Sequence, residues 1–332
     1  MKVKVAVVGF GFMGMTHIAQ ILRNENAELV ALIVRDPSSV SRKLREGAGN
    51  FAIEGISEEA LAAVPVYPSL AECLENREVD AVHLCVHTDL HVPMALEALE
   101  RGLHVLVEKP FTLDVAQGEA LIRLAAEKQR ILMVAQVVRF MPAYRRLKEW
   151  LDAGTYGALQ FLSLTRFTGE PAWGQWQEKK ADGSSGGALF DLVIHDIDFA
   201  QYVLGLPEEV RSVNLPGALS PHDYVSATWT YANGVTARIE GGNIFHTAFP
   251  FQAGFTARFE QASVQFTSMK PEVIRVATAD RLEEIPVEDA GIGFYEEIAR
   301  FYASIRSGKA DAVCTPESAL DTIRLCYRHV SG

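Results

Sequence analysis

Val3-Lys4-Val5-Ala6-Val7-Val8-Gly9-Phe10-Gly11-Phe12-Met13-Gly14 decides the fold of this chain. A Gly-x-Gly-x-x-Gly string is a weak signal alone. Here it falls between the apolar run of a buried strand and a stretch whose Met15, Ile18, Ala19 and Leu22 repeat with helical period. In that context each glycine has a mechanical task. Gly9 permits the tight turn, Gly11 lets the backbone approach a pyrophosphate, and Gly14 lets the helix pack closely on the strand. The helix N-terminus presents unpaired N–H groups to phosphates, so the segment reads as a dinucleotide site.

Outward from this turn, short apolar runs alternate with amphipathic stretches through residue 135, as a parallel βαβ sheet requires. The expected strands are Val3–Val8, Leu29–Val34, Ala81–Val86, Leu103–Val107 and Ile131–Ala135. Helices fit between them, one on Val92, Ala95, Leu96 and Leu99, another after Thr112 with Leu121, Leu124 and Ala125 on one face. Right-handed crossovers then give a doubly wound α/β Rossmann sheet with its ligand crevice at the strands' carboxyl ends.

After about residue 155 the pattern changes. Leu159–Phe167, Tyr224–Tyr231, Val235–Ile239, Phe255–Phe259 and Ser263–Thr267 alternate or are rich in β-branched and aromatic residues, and Asn233-Gly234 marks a hairpin. A large, mostly antiparallel sheet follows, with helices over Ala188–Leu204, Phe294–Ser307 and Pro316–His329. The expected division is a dinucleotide-binding domain, 1–135, and an α+β domain for substrate binding and oligomerisation, 136–332. An open sheet bearing aromatic residues calls for a cover, which points to a dimer or tetramer through that face. Trp173, Trp176, Lys179 and Lys180 lie in a long loop, a frequent location of function.

Composition narrows the partners. Lys and Arg number 31 against 42 Asp and Glu, a net charge of −11, which disfavours nucleic acid and anionic membranes. Cys73, Cys85, Cys314 and Cys326 form no Cys-x-x-Cys pair and read as reduced thiols. With no charged and apolar leader and no run of about 20 apolar residues, the expected location is the cytoplasm.

Three groups of residues carry chemistry. Lys109, in Glu108-Lys109-Pro110 at the carboxyl end of a strand, reads either as a donor to a substrate hydroxyl that stabilises a developing alkoxide or as a solvated surface lysine. Pro110 biases Lys109 away from helical geometry and is compatible with a cis bond. Asp191 and His195 share a helix face at i, i+4, which suits an acid–base pair, a structural pair, or a metal pair completed by Asp198. His87 and His91, with Asp89 between them, fit a metal less well than a cofactor contact at the mouth of the crevice.

Taken together, Gly9 to Gly14, Leu90-His91, Glu108-Lys109-Pro110, Arg139-Phe140 with Pro142, and Gly186-Gly187 leading to Asp191-x-x-x-His195-Asp196-x-Asp198 resemble the glucose-fructose oxidoreductase and inositol dehydrogenase family. The resemblance covers nearly the whole chain and departs from the family at Val86-His87-Thr88, where Thr-Pro-Asn is usual. It implies a Rossmann domain followed by an open antiparallel sheet, and Lys109, Asp191 and His195 as the catalytic set with the imidazole as general acid or base. No metal is expected.

The implied cofactor is NAD(P). Its expected contacts are Gly9, Phe10, Gly11, Phe12, Met13, Gly14, Arg35, Asp36, Val86, His87, His91, Glu108 and Lys109. An acid closing the second strand would bind the ribose hydroxyls of NAD; Val34 cannot, and Arg35 suits the 2′-phosphate of NADP, so the reading favours NADP while Asp36 keeps NAD open. The leading function is hydride transfer between nicotinamide and a carbinol or carbonyl carbon of a sugar or polyol. The alternatives are a glycosidase that transiently oxidises its sugar on NAD, and a cofactor-sensing regulator of the same fold without catalysis.

Overall fold

The computed structural model describes residues 2–46, 55–171 and 186–331. The loop bearing Trp173, Trp176, Lys179 and Lys180 lies outside them. The chain divides into two compact units, Met1–Gln136 with Phe294–Leu320, and Val137–Gly293 with Asp321–Gly332. Where the sequence suggests a single boundary at 135/136, the late segment Phe294–Leu320 belongs to the first unit.

In the first unit β1 (Val3–Val8), α1 (Phe12–Leu22), β2 (Ala27–Ile33), α2 (Val40–Glu46), α3 (Glu58–Leu61), β3 (Val66–Tyr67), α4 (Leu70–Asn76), β4 (Ala81–Leu84), α5 (His91–Glu100), β5 (His104–Glu108), α6 (Val115–Glu127) and β6 (Leu132–Ala135) follow in order. They build a six-stranded parallel sheet, β3-β2-β1-β4-β5-β6. β4, inside the sheet, and β6, at its edge, are both buried throughout, as strands covered on both faces must be. Strand order reverses between β1 and β4, the switch point at which open α/β sheets bind ligands. Ser57, Ser69 and Asp114 cap α3, α4 and α6; Asp114 accepts the Ala116 and Gln117 N–H groups at the start of α6. At α1 the N-cap is Gly11, and no side chain caps the helix.

The second unit contains α7 (Pro142–Asp152), β7 (Leu159–Gly169), a π-helical turn (Leu189–Val193) running into α8 (Ile194–Leu204), and β8 (Glu209–Leu215), β9 (Tyr224–Thr230), β10 (Thr236–Phe245), β11 (Gln252–Phe259), β12 (Ser263–Thr267), β13 (Val273–Ala277) and β14 (Leu282–Pro286). Then come α9 (Ile292–Ser307) and α10 (Pro316–Ser331), whose residues are shared between the units as stated above. The sheet runs β14-β13-β12-β11-β7-β10-β9-β8, antiparallel except for the parallel β7–β10 pair. Asn233-Gly234 turns β9 into β10, with Gly234 at φ +82° and the Asn233 side chain accepting the Val235 N–H. One face of the sheet is buried: Leu162, Leu164, Trp229, Ile239, Phe255 and Phe266 all point inward. Tyr144 of α7 stands edge-on to Phe199 of α8 and to Phe255 and Phe266, which locks both helices over that face.

α10 is pinned by a buried histidine. The Trp229 indole N–H donates to His329 Nε2 at 3.0 Å, and His329 Nδ1 lies 2.8 Å from the Leu325 carbonyl. Nε2 must therefore accept and Nδ1 donate, so the ring is neutral. Burial pushes the His329 pKa down to about 4. The unfolded chain, with a pKa near 6.5, takes the proton first as pH falls, so this stability is complete above about pH 6.5 and is lost toward pH 4. We expect the second unit to lose roughly 3 kcal/mol over that window from this group. All four tryptophans (Trp150, Trp173, Trp176 and Trp229) fall within residues 137–293, so denaturation followed by tryptophan emission reads this unit. His329→Leu should flatten the pH dependence; an unchanged profile would remove His329 as its cause.

Candidate active site

The glycine turn is built by close approach of backbones. Gly9 has φ +97°, and a Cβ there would lie 2.2 Å from the Cys85 carbonyl oxygen at the end of β4. A Cβ on Gly14 would lie 2.2 Å from the carbonyl oxygen of Gly9. Gly11 contrasts with both. Its backbone is extended and no atom lies within 4 Å of where its Cβ would be, so its hydrogen faces open space beside the uncapped N-terminus of α1. Two glycines are required by the protein itself and the middle one is not, which is the pattern of a cradle for a pyrophosphate. Phe10 is buried, while Phe12 and Met13 are half-buried.

Beyond β2, Val34 is buried and Arg35 and Asp36 are exposed. Asp36 caps the short turn Pro37–Ser39, taking the Ser38 N–H and hydroxyl on Oδ1, and the Ser38 hydrogen bonds hold its carboxyl below the usual range. Arg35 is not drawn into that cap.

At the carboxyl end of β4, Val86 is half-buried and His87 exposed. His91 is buried, with Nδ1 2.8 Å from the Pro110 carbonyl and Nε2 3.2 Å from the Val86 carbonyl. Burial lowers its pKa. Both ring nitrogens face main-chain oxygens, so His91 braces the loop after β4 against the loop after β5. The neutral ring carries one N–H, so one of these two contacts is the hydrogen bond.

Lys109, half-buried, follows β5 and is joined to Pro110 by a cis peptide bond. Glu108 is also buried and turned inward: Oε1 lies 3.0 Å from His17 Nε2, and Oε2 accepts the Lys109 N–H at 3.1 Å. Both of its carboxylate oxygens thus meet partners within the protein. Pairing of Glu108 with Ala135 sets Gln136 beside Lys109 in register. Gln136 is 2% exposed, and neither atom of its amide meets a hydrogen-bond partner among the described residues. Buried polar groups are nearly always paired, so an orphaned amide at this edge of the sheet points to a ligand. A polar residue closing an apolar strand is a signal that the sequence carried.

In the second unit, Gly186 and Gly187 have φ +68° and +71°. A Cβ on Gly187 would strike the Ser220 hydroxyl. Beneath it the buried Asp223 accepts the N–H groups of Ala188, Leu219 and Ser220, which fixes the entry to the helix. Asp191 lies in the π turn and His195 in the first turn of α8, both half-buried. The expected regular α-helix is thus a π turn here, a widened turn that re-aims the side chains before it and is frequent at functional sites. Asp196 and Asp198 of α8 point into the core. Asp196 accepts Arg166 Nε at 2.7 Å, and Asp198 accepts Arg139 Nε at 2.8 Å and the Thr322 hydroxyl at 2.9 Å. That corrects Asp198 as a third metal ligand with Asp191 and His195, since its carboxylate is held by a guanidinium. No group of three or more potential metal ligands is found among the described residues.

The sequence profile of the oxidoreductase family with an NAD-binding Rossmann fold matches residues 3–136, and that of the GFO/IDH/MocA C-terminal domain matches 144–265. The chain belongs to this family. It is an oxidoreductase that binds NAD(P). Among members of the family, inositol 2-dehydrogenase of Rhizobium meliloti is 26% identical over 93% of this chain and 90% of its own. The scyllo-inositol 2-dehydrogenase (NAD(+)) of Bacillus subtilis is 26% identical over 96% of this chain and 91% of its own. The fold matches that of UDP-N-acetylglucosamine 3-dehydrogenase from Acidithiobacillus ferrooxidans with a TM-score of 0.81 at 21% identity, covering 100% of this chain and 97% of that one. No helix among the described residues is long and apolar enough to cross a membrane.

The two Arg–Asp pairs hold α8 by charge. Arg166→Met should cost about 3–5 kcal/mol by leaving Asp196 buried without its counter-charge. Arg166→Met with Asp196→Leu should recover most of it. Urea denaturation followed by tryptophan emission measures both; a double variant as unstable as the single one would mean that the pair does not act as a unit.

Proposed function

We propose that the protein transfers a hydride between the nicotinamide of NADP(H) and a carbinol or carbonyl carbon of a sugar or polyol. The observation that carries this reading is a shared edge: Lys109 and Gln136 close neighbouring strands of the sheet whose first strand ends in the glycine cradle. When bound, the cofactor accepts or donates the hydride, and the chain supplies binding, orientation and proton handling.

In this reading the N–H groups at the start of α1 and the Gly9–Gly14 backbone hold the pyrophosphate, and Arg35 pairs with the 2′-phosphate. Val86 and His87 flank the cofactor after β4. The Lys109 ammonium holds the substrate oxygen and stabilises negative charge as an alkoxide forms. His195 takes or returns the hydroxyl proton, and Asp191 orients it and favours its charged form. The Gln136 amide offers both donor and acceptor to a carboxamide or a hydroxyl. The family members named above act on inositols, which supports a substrate with several hydroxyls. Self-association through the outward face of the large sheet, where Phe161, Phe167, Val213 and Leu215 are incompletely covered, completes the proposal, with the cytoplasm as the working compartment and all four cysteines free and buried.

The reading is tested with a panel of inositols, aldoses, sugar acids and simple alcohols, assayed with both cofactors in both directions. Turnover confined to hydrophobic alcohols would contradict it. His195→Asn should lower kcat by roughly 100- to 10,000-fold and leave nicotinamide fluorescence titrations unchanged. Wild-type turnover in that variant would take His195 out of the reaction. Arg35→Ala should weaken NADPH binding by about 1.5–3 kcal/mol and spare NADH. Equal losses for the two cofactors would assign Arg35 to the adenine instead.

A further inference from the structure

Four residues distant in sequence form one buried hydrogen-bonded chain in the first unit. Tyr302 Oη of α9 lies 3.1 Å from His83 Nε2 in β4. His83 Nδ1 lies 3.0 Å from His17 Nδ1 in α1, and His17 Nε2 lies 3.0 Å from Glu108 Oε1 at the end of β5. Tyr302, His83 and His17 are each 0% exposed, so water cannot substitute for any link. The rings are fixed by packing as well: His83 stacks on Tyr302 at 5.7 Å between centroids and meets Phe301 and His17 edge-on.

The chain has one direction in which every group is satisfied. Burial, with the His17 ring beside it, pushes the His83 pKa well down, so His83 carries a single N–H. If that hydrogen were on Nε2, it would point at the Tyr302 oxygen, and the tyrosine's own hydrogen would be buried with no acceptor in the chain. With the hydrogen on Nδ1, Tyr302 O–H donates to His83 Nε2, His83 Nδ1–H donates to His17 Nδ1, and His17 Nε2–H donates to Glu108 Oε1. Glu108 Oε2 then receives the Lys109 N–H. Donors and acceptors match at every step, the condition that a buried polar network must meet.

We infer that Tyr302, His83 and His17 are positioning residues for Lys109: a one-way relay of hydrogen bonds that fixes the Glu108 carboxylate, which in turn fixes the backbone from which Lys109 is presented. It explains why Tyr302, late in the chain, belongs to the first unit. The consequence for turnover rests on the proposed role of Lys109; the direction of the relay does not.

The test has two arms. Nitrogen-15 NMR of histidine-labelled wild-type protein at neutral pH, with the resonances assigned through His17→Gln and His83→Gln, reads the tautomers without any substrate. The relay requires neutral His17 protonated on Nε2 and neutral His83 protonated on Nδ1; His83 protonated on Nε2, or a doubly protonated His17, would overturn it. In the kinetic arm, Tyr302→Phe keeps the ring and removes the donor, and it should lower kcat by about 10-fold with the cofactor dissociation constant unchanged. His17→Gln, whose amide N–H can replace the donor to Glu108, should keep kcat well above that of His17→Leu. Equal kcat in these two variants, with wild-type kcat in Tyr302→Phe, would overturn the positioning role. If no substrate turns over in any assay, the proposed function fails, while the tautomers still decide the relay.

Discussion

The structure depends on the contact between the carbonyl of Gly9 and the α-carbon of Gly14. With only 2.2 Å between that oxygen and the position of a Cβ, no side chain can stand at Gly14. The helix therefore begins directly over the end of β1, and its first N–H groups open onto the edge where β1 and β4 diverge. Gly9 meets the end of β4 in the same way through the Cys85 carbonyl. Two strand ends and a helix N-terminus thus converge on one point, and the polar residues that close β5 and β6 lie along the same edge.

The second unit meets a related demand with charge instead of glycine. α8 carries His195 in its first turn, and its buried positions include Asp196 and Asp198, each against a buried arginine. Apolar residues of similar volume would be as stable in general, but an ion pair accepts only one rotation of the helix. Asp223 acts similarly at the entry, gathering three backbone N–H groups beneath Gly187. Half-buried Asp191 and His195 are what remains of the segment's polar side once these anchors are set.

Much of this was legible in the sequence, for physical reasons. β1 and β12 were expected to the residue, because a buried parallel strand and a cleanly alternating one have strong patterns. β8 and β14 were not assigned: Glu-Val-Arg-Ser-Val-Asn-Leu and Leu-Glu-Glu-Ile-Pro are edge strands whose charged residues mask their alternation. β3 has two residues and offers no period to detect. The π turn eluded the sequence because a single widened turn leaves i, i+4 spacing intact. The partners of His91 were not legible for the same reason that the relay was invisible. A histidine's partners here are the Pro110 carbonyl, a second imidazole or a tyrosine far along the chain, and sequence spacing records none of them.

The central claim is that the glycine turn and the N-terminus of α1 hold a dinucleotide's phosphates, and Gly11→Asp tests it most directly. Aspartate is a good N-cap and no atom opposes its Cβ, so the free protein should be as stable as the wild type or more so by a few tenths of a kcal/mol. The same carboxylate takes the N–H groups that the pyrophosphate needs and repels its charge. Calorimetric titration should therefore show NADPH and NADH affinity lower by about 100-fold or more, with the melting temperature of the free protein preserved. Undiminished binding of both cofactors by a folded Gly11→Asp protein would contradict the account.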